Sequence, residues 1–278
     1  VWFPILTAVA APESVRPVVV RDDHVLLALG ADPSAPPTTP SPDGVRWLEP
    51  VGDEVVDGVH LGDAWVALGS DGARTTCRVT GFVRTADDAQ GYGAPDDPTC
   101  GGWAAWAELA CDGPVRDGVG VEGRRTPART YAERPPTPEE RARGAKALAG
   151  SDEWRKVLGA MDAVGEPVHV AIDVRPFGPW SVVEASAYTG DGWIGCGSDQ
   201  LLTRRVLVLD DAGRELLPAR ALAEPWGRDD RIVDGVYDLD HDGRPELRVV
   251  RPLEEVVVVG PDGVERAPLP TRFCGCPC

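Results

Sequence analysis

The chain has 278 residues, 42% of them hydrophobic and 26% charged, which is enough apolar material for one large core or two small ones. Lys and Arg total 28 against 45 Asp and Glu, a formal charge of −17. This balance argues against disorder, whose signature is low hydrophobicity with high charge, and against nucleic acid as a partner, because phosphate contacts need a basic face.

The chain opens on an apolar, uncharged run, Val1-Trp2-Phe3-Pro4-Ile5-Leu6-Thr7-Ala8-Val9-Ala10. Its end, Ala8-Val9-Ala10, fits the small-x-small rule of signal peptidase, so residues 1–11 read as the remnant of a signal peptide. No other apolar run approaches the roughly 20 residues of a membrane helix, and no transmembrane segment is expected in the mature chain. Residues 12–113 read as an N-terminal β-rich region. Within it, residues 31–44 carry five prolines and read as a loop, since proline fixes φ and removes a donor. Trp65-Val66-Ala67-Leu68, then Ser70-Asp71-Gly72, then residues 77–83 read as strand, turn and strand.

Seven cysteines, Cys77, Cys100, Cys111, Cys196, Cys274, Cys276 and Cys278, suit an oxidising compartment and are expected mainly as disulfides. The odd count leaves one thiol over or one bond to another chain, and the pairing stays open. The Cys274-Gly-Cys276-Pro-Cys278 tail reads as a staple of the C-terminus, with a soft-metal thiolate site as its alternative. The basic residues include only two lysines, Lys146 and Lys156, a bias typical of GC-rich bacterial genomes.

Residues 114–137, rich in Gly, Pro and Arg, read as a linker or long loop ahead of a C-terminal region, 138–278. Thr137 can cap a helix with Pro138 at its first position and Glu140 completing a capping box. Ser151 starts a second helix, in which Trp154, Val157, Leu158 and Met161 share a core-facing stripe. Strand signals then resume over 168–174, 180–188, 205–209, 232–239, 247–250 and 255–259. The expected fold is mainly β, in antiparallel sheets arranged as a propeller or a sandwich, with a small helical pair near 138–162.

The chemically richest stretch is Asp238-Leu239-Asp240-His241-Asp242-Gly243-Arg244-Pro245-Glu246. Carboxylates stand at positions one, three, five and nine, and Gly243 at position six suits a sharp turn. Ca²⁺ is a hard ion that takes six to eight oxygens from flexible groups, so alternating acids on a tight loop form a fitting donor set. The predicted ligands are Asp238, Asp240, Asp242, Glu246 and the backbone carbonyl of Arg244. Arg244 and Arg248 are expected to offset part of the charge. An EF-hand would need an acid at position twelve, which is Val249, and helices on both sides.

The Asp-x-Asp-x-Asp-Gly-x-Pro-Glu-Leu pattern, followed by a β run, resembles the calcium loop of FG-GAP/VCBS repeats of integrin-α-like propeller blades. The resemblance covers residues 232–266 and implies calcium bound at a turn between strands.

Three weaker patterns remain. His169 and Asp173 alternate on one face of a candidate strand, as a base and its orienting acid would, but no nucleophile accompanies them. Gly190-Asp191-Gly192-Trp193-Ile194-Gly195-Cys196-Gly197-Ser198 lacks the G-x-S-x-G order of a nucleophile elbow. Nine tryptophans favour core packing over sugar stacking, because several adjoin strand signals. The sequence therefore points to an exported bacterial calcium-binding protein, secreted or periplasmic at the cell envelope, with a protein or glycan as partner. The alternatives are a secreted hydrolase with a structural calcium and a carbohydrate-binding module using exposed tryptophans.

Overall fold

The structure, a computed structural model, describes residues 15–21, 23–32, 48–86, 103–123, 128–163, 165–190, 201–222, 231–250, 256–260 and 265–266. The first strands are β1 (Val15–Arg21), β2 (His24–Asp32), β3 (Leu48–Val51), β4 (Val55–Val56), β5 (Val59–His60), β6 (Ala64–Gly69), β7 (Arg74–Ala86), β8 (Trp103–Cys111), β9 (Gly118–Glu122) and β10 (Arg129–Tyr131). Two helices follow, α1 (Pro138–Gly150) and α2 (Asp152–Asp162). The chain continues through β11 (His169–Phe177), β12 (Trp180–Tyr188), β13 (Leu202–Asp210), β14 (Glu215–Arg220), β15 (Val233–Asp238), β16 (Glu246–Val250), β17 (Val256–Val259) and β18 (Glu265–Arg266). The protein is thus mainly β, in antiparallel sheets, with a small helical pair.

Six strands close into a barrel. β1 pairs with β2 and β9, β6 with β7 and β9, and β8 with both β2 and β7, while β3 adds to the far half of β7. Closure removes the open edges that two end strands would present. Alternation sends Val18, Leu27, Trp65, Val79, Phe82 and Ala107 into the interior and leaves Val66, Leu68, Val119 and Val121 on the outside. Cys77 and Cys111 stand directly opposite each other on β7 and β8 and form a disulfide.

β9 lies inside the stretch that reads as a linker. Its glycines look like loop residues in sequence, yet they are what lets the strand fit. A Cβ at Gly118 would run into the Leu68 carbonyl, and one at Gly120 would stand 2.5 Å from Leu27 and 3.3 Å from Trp65. β10, also within that stretch, joins the barrel region to the next layer by pairing with β15.

The sheet β10-β15-β16-β17-β18 is the middle layer. On one face Tyr237, Leu239 and Val258 pack on the barrel exterior at Val66, Leu68, Val119 and Val121. On the other, Val236, Leu247, Val249 and Val259 meet Phe177, Trp180, Val182 and Val208 of the sheet β11-β12-β13-β14. Strands covered on both faces need no polar alternation, which accounts for the consecutive buried Val258 and Val259 of β17. These two sheets stack face to face as in a sandwich, and no ring of blades forms among the described residues.

The helices cover the outer face of the four-stranded sheet. Leu148, Trp154, Val157 and Met161 pack on Val174, Val183, Leu207 and Leu209. The predicted capping box is present: Glu140 N–H donates to Thr137 Oγ1 at 3.2 Å, and Thr137 N–H donates to Glu140 Oε2 at 2.8 Å. Gly144 lets α1 approach the sheet closely, since a Cβ there would lie 2.8 Å from a Val174 methyl.

Among the described residues, no helix is long and apolar enough to cross a membrane. Trp65, Trp106, Trp154 and Trp180 are all core residues, as the sequence suggests. The signal-like run at 1–11, most of the proline-rich loop, Cys100, Cys196 with its glycine-rich loop, and the cysteine tail lie outside the described residues.

Candidate metal centre

β15 and β16 form a hairpin of the middle sheet, with Val236 opposite Leu247 and Tyr237 opposite Glu246. Residues 239–245 form its loop. Asp238 ends β15 and is buried at 3% exposure, Asp240 is half-buried, and Asp242 is exposed. The loop reverses through two left-handed residues, His241 (φ 62°) and Gly243 (φ 79°). Glycine takes that conformation without cost, whereas His241 must bear some strain.

The carboxylates fold back onto the loop backbone. Asp240 accepts the Asp242 N–H at 3.2 Å, Asp238 the Gly243 N–H at 3.3 Å, and Asp242 the Arg244 N–H at 2.7 Å. Together these bonds gather one oxygen from each of Asp238, Asp240 and Asp242 to within 4.8 Å of one another. Two unit charges at such a separation repel by about 3–4 kcal/mol at an effective dielectric near 20. The Asp242 carboxyl accordingly titrates above the ordinary carboxylate range. Partial burial is the largest cause, and the charges of Asp240 and Asp238 add to it against the stabilising Arg244 N–H.

The other predicted ligands take different places. Glu246 begins β16, fully buried, and its Oε2 accepts the Leu239 N–H at 2.8 Å, which ties the two stems of the loop together. Arg244 is an exposed loop residue. Arg248, buried on β16, forms ion pairs with Asp234 and Asp117. His241 Nδ1 lies 3.7 Å from Asp238 Oδ2.

One polar cluster has no counterpart in the sequence reading. Arg175, Glu184 and Arg204 are all buried between the four-stranded and middle sheets. Glu184 pairs with Arg175, lies 3.7 Å from Arg204, and accepts the N–H groups of Ile232 and Val233, each at 3.1 Å. Arg175 also donates to the Val233 carbonyl at 2.5 Å. The cluster cross-links two layers and contains no nucleophile. Its partners are far apart in sequence, so no local motif announces it. His169 and Asp173 share a face of β11 but stand four residues apart on an extended strand, about 13 Å, too far to act as a catalytic pair.

In comparison with known proteins, no family, no curated protein and no solved structure matches the chain.

Proposed function

We propose that the 238–246 loop binds one Ca²⁺ ion and that the ion rigidifies the β15–β16 turn of an exported bacterial protein with a binding or structural role at the cell envelope. The observation that carries this reading is the convergence of the Asp238, Asp240 and Asp242 carboxylates within 4.8 Å on one hairpin loop. Three mutually repelling acids on a loop gain most from a divalent cation, and an all-oxygen donor set suits a hard one. Glu246, the Arg244 carbonyl and water would complete the six to eight oxygens that calcium takes. The strand–loop–strand setting agrees with the resemblance to FG-GAP/VCBS loops and differs from the helix-flanked EF-hand. Export is supported by the Cys77–Cys111 disulfide, a bond favoured in oxidising compartments.

The competing readings draw less from the molecule. A glycan-binding module needs exposed tryptophans, and the four whose side chains are described are buried. A hydrolase needs a nucleophile beside a base, and His169 and Asp173 do not provide one.

Thermal melting tests the calcium reading. The native chain is expected to melt several degrees higher in millimolar Ca²⁺ than in chelator, and Asp240→Ala to melt at one temperature in both. Equal melting of the native chain in both solutions would defeat the proposal.

A further inference from the structure

β11 is an edge strand of its sheet, and among the described residues most of that edge is open. Described residues cover its far end: Glu133 bridges Phe177, and the Arg134 N–H donates to the Pro176 carbonyl at 3.1 Å. The covering segment then enters Pro135-Pro136, which have no N–H to offer, and turns into α1. From His169 to Asp173 the strand is exposed. Val170 and Ile172, at 47% and 43% exposure, stand among the most exposed large hydrophobic residues described. An open edge with apolar side chains and little charge is a template for pairing with another chain.

The backbone fixes which groups face outward. The N–H and C=O of a strand residue point to the same side and alternate along the chain. The register of β11 with β12 is unbroken, and the Pro176 carbonyl faces outward, so the backbone groups of Val174, Ile172 and Val170 face outward too. An antiparallel partner must set outward residues opposite outward residues.

We propose that β11 pairs with β11 of a second copy of this chain about a two-fold axis at Ala171, giving a symmetric dimer. In that register Val170 of each copy faces Ile172 of the other, and the two pairs exchange four backbone hydrogen bonds. The same four side chains form one apolar patch. The register is chosen by charge. His169 of each copy falls opposite Asp173 of the other, at a position where cross-strand side chains lie closest, and the imidazole N–H donates to the carboxylate. Sliding the copies by two residues in total sets His169 against Ala171 or against Arg175 and loses that complementarity. Within one chain, His169 stacks on Tyr188 at 5.4 Å and Asp173 lies 3.6 Å from Arg175 Nε, so both side chains are held on the same face of β11. Small Ala171 at the axis lets the two strands close. The contact is short and belongs to the weak class of interfaces. Each copy carries a charge of −17, so screening by salt favours association.

Sedimentation of the whole chain at physiological salt, from low micromolar to near-millimolar concentration, tests this. A monomer–dimer equilibrium is expected. Ile172→Lys, at an exposed position and expected to leave the circular dichroism of the monomer unchanged, is expected to weaken it by about tenfold or more. Ala171→Cys, oxidised mildly, is expected to give a peptide linked from position 171 of one copy to position 171 of the other, identified by mass spectrometry. A monomer at every concentration overturns the proposal and leaves the edge to another chain. A dimer indifferent to Ile172→Lys, or one without the 171–171 link, places the contact elsewhere and overturns it as well.

Discussion

Glu184 illustrates how much one buried side chain holds in this protein. Its carboxylate meets Arg175 on the neighbouring strand and two backbone N–H groups of the middle sheet. Glu184→Gln keeps the shape but leaves the Arg175 charge without its main counter-ion in a buried site. The expected loss is about 3–5 kcal/mol, read from urea unfolding, because breaking one side of a buried ion pair strands the other. The contrast with the acidic loop is one of sequence distance. Asp238, Asp240 and Asp242 are visible in the sequence because their chemistry is local and alternates at fixed spacing. Glu184 contacts residues nine and about fifty positions away, and a buried glutamate in a strand reads like any other. Arg248 shows the same dependence on distant partners. Its ion pairs with Asp234 and Asp117 join β16 to residues 14 and about 130 positions away.

Among the elements, the helices were the most legible. Thr137, Pro138, Glu140 and Ser151 state their caps in local chemistry, and α1 and α2 begin where those residues require. Glu140 is held well below the usual carboxylate range, to about 2, first by its hydrogen bond from Arg134 and then by the Thr137 backbone. A depressed acid contributes stability that is present above its unfolded pKa, near 4.5, and is lost as the pH falls toward 2. Fraying of α1 is therefore expected across that acid window, followed by helical circular dichroism. Thr137→Ala at neutral pH is expected to cost about 1 kcal/mol in denaturant unfolding. β9 was illegible for the opposite reason. Glycine signals a loop locally, while the close approach to Leu68, Leu27 and Trp65 that demands glycine exists only once the barrel has closed.

At the scale of the whole molecule, a closed barrel, a middle sheet and an outer sheet with its helices share buried faces, so the acidic loop sits on a hairpin buried on both sides. Such a base predisposes the loop to one conformation, which suits a structural ion better than a switch. The mainly β class and the helical pair followed from alternation and caps. Barrel closure did not, because it depends on β8 pairing with both β2 and β7 across long stretches of chain. The Cys77–Cys111 bond joins two of those barrel strands across 34 residues of sequence. Replacing both cysteines by alanine is expected to lower stability by about 2–4 kcal/mol, chiefly by freeing the unfolded chain, as measured by urea unfolding against the native protein. The calcium site proposed at the Asp238–Glu246 loop is open to calorimetric titration of Ca²⁺ into the chelator-stripped chain. One ion per chain is expected, with a Kd of about 10⁻⁴ to 10⁻³ M or tighter and binding abolished by Asp240→Ala; a native chain that shows no saturable heat would rule the site out.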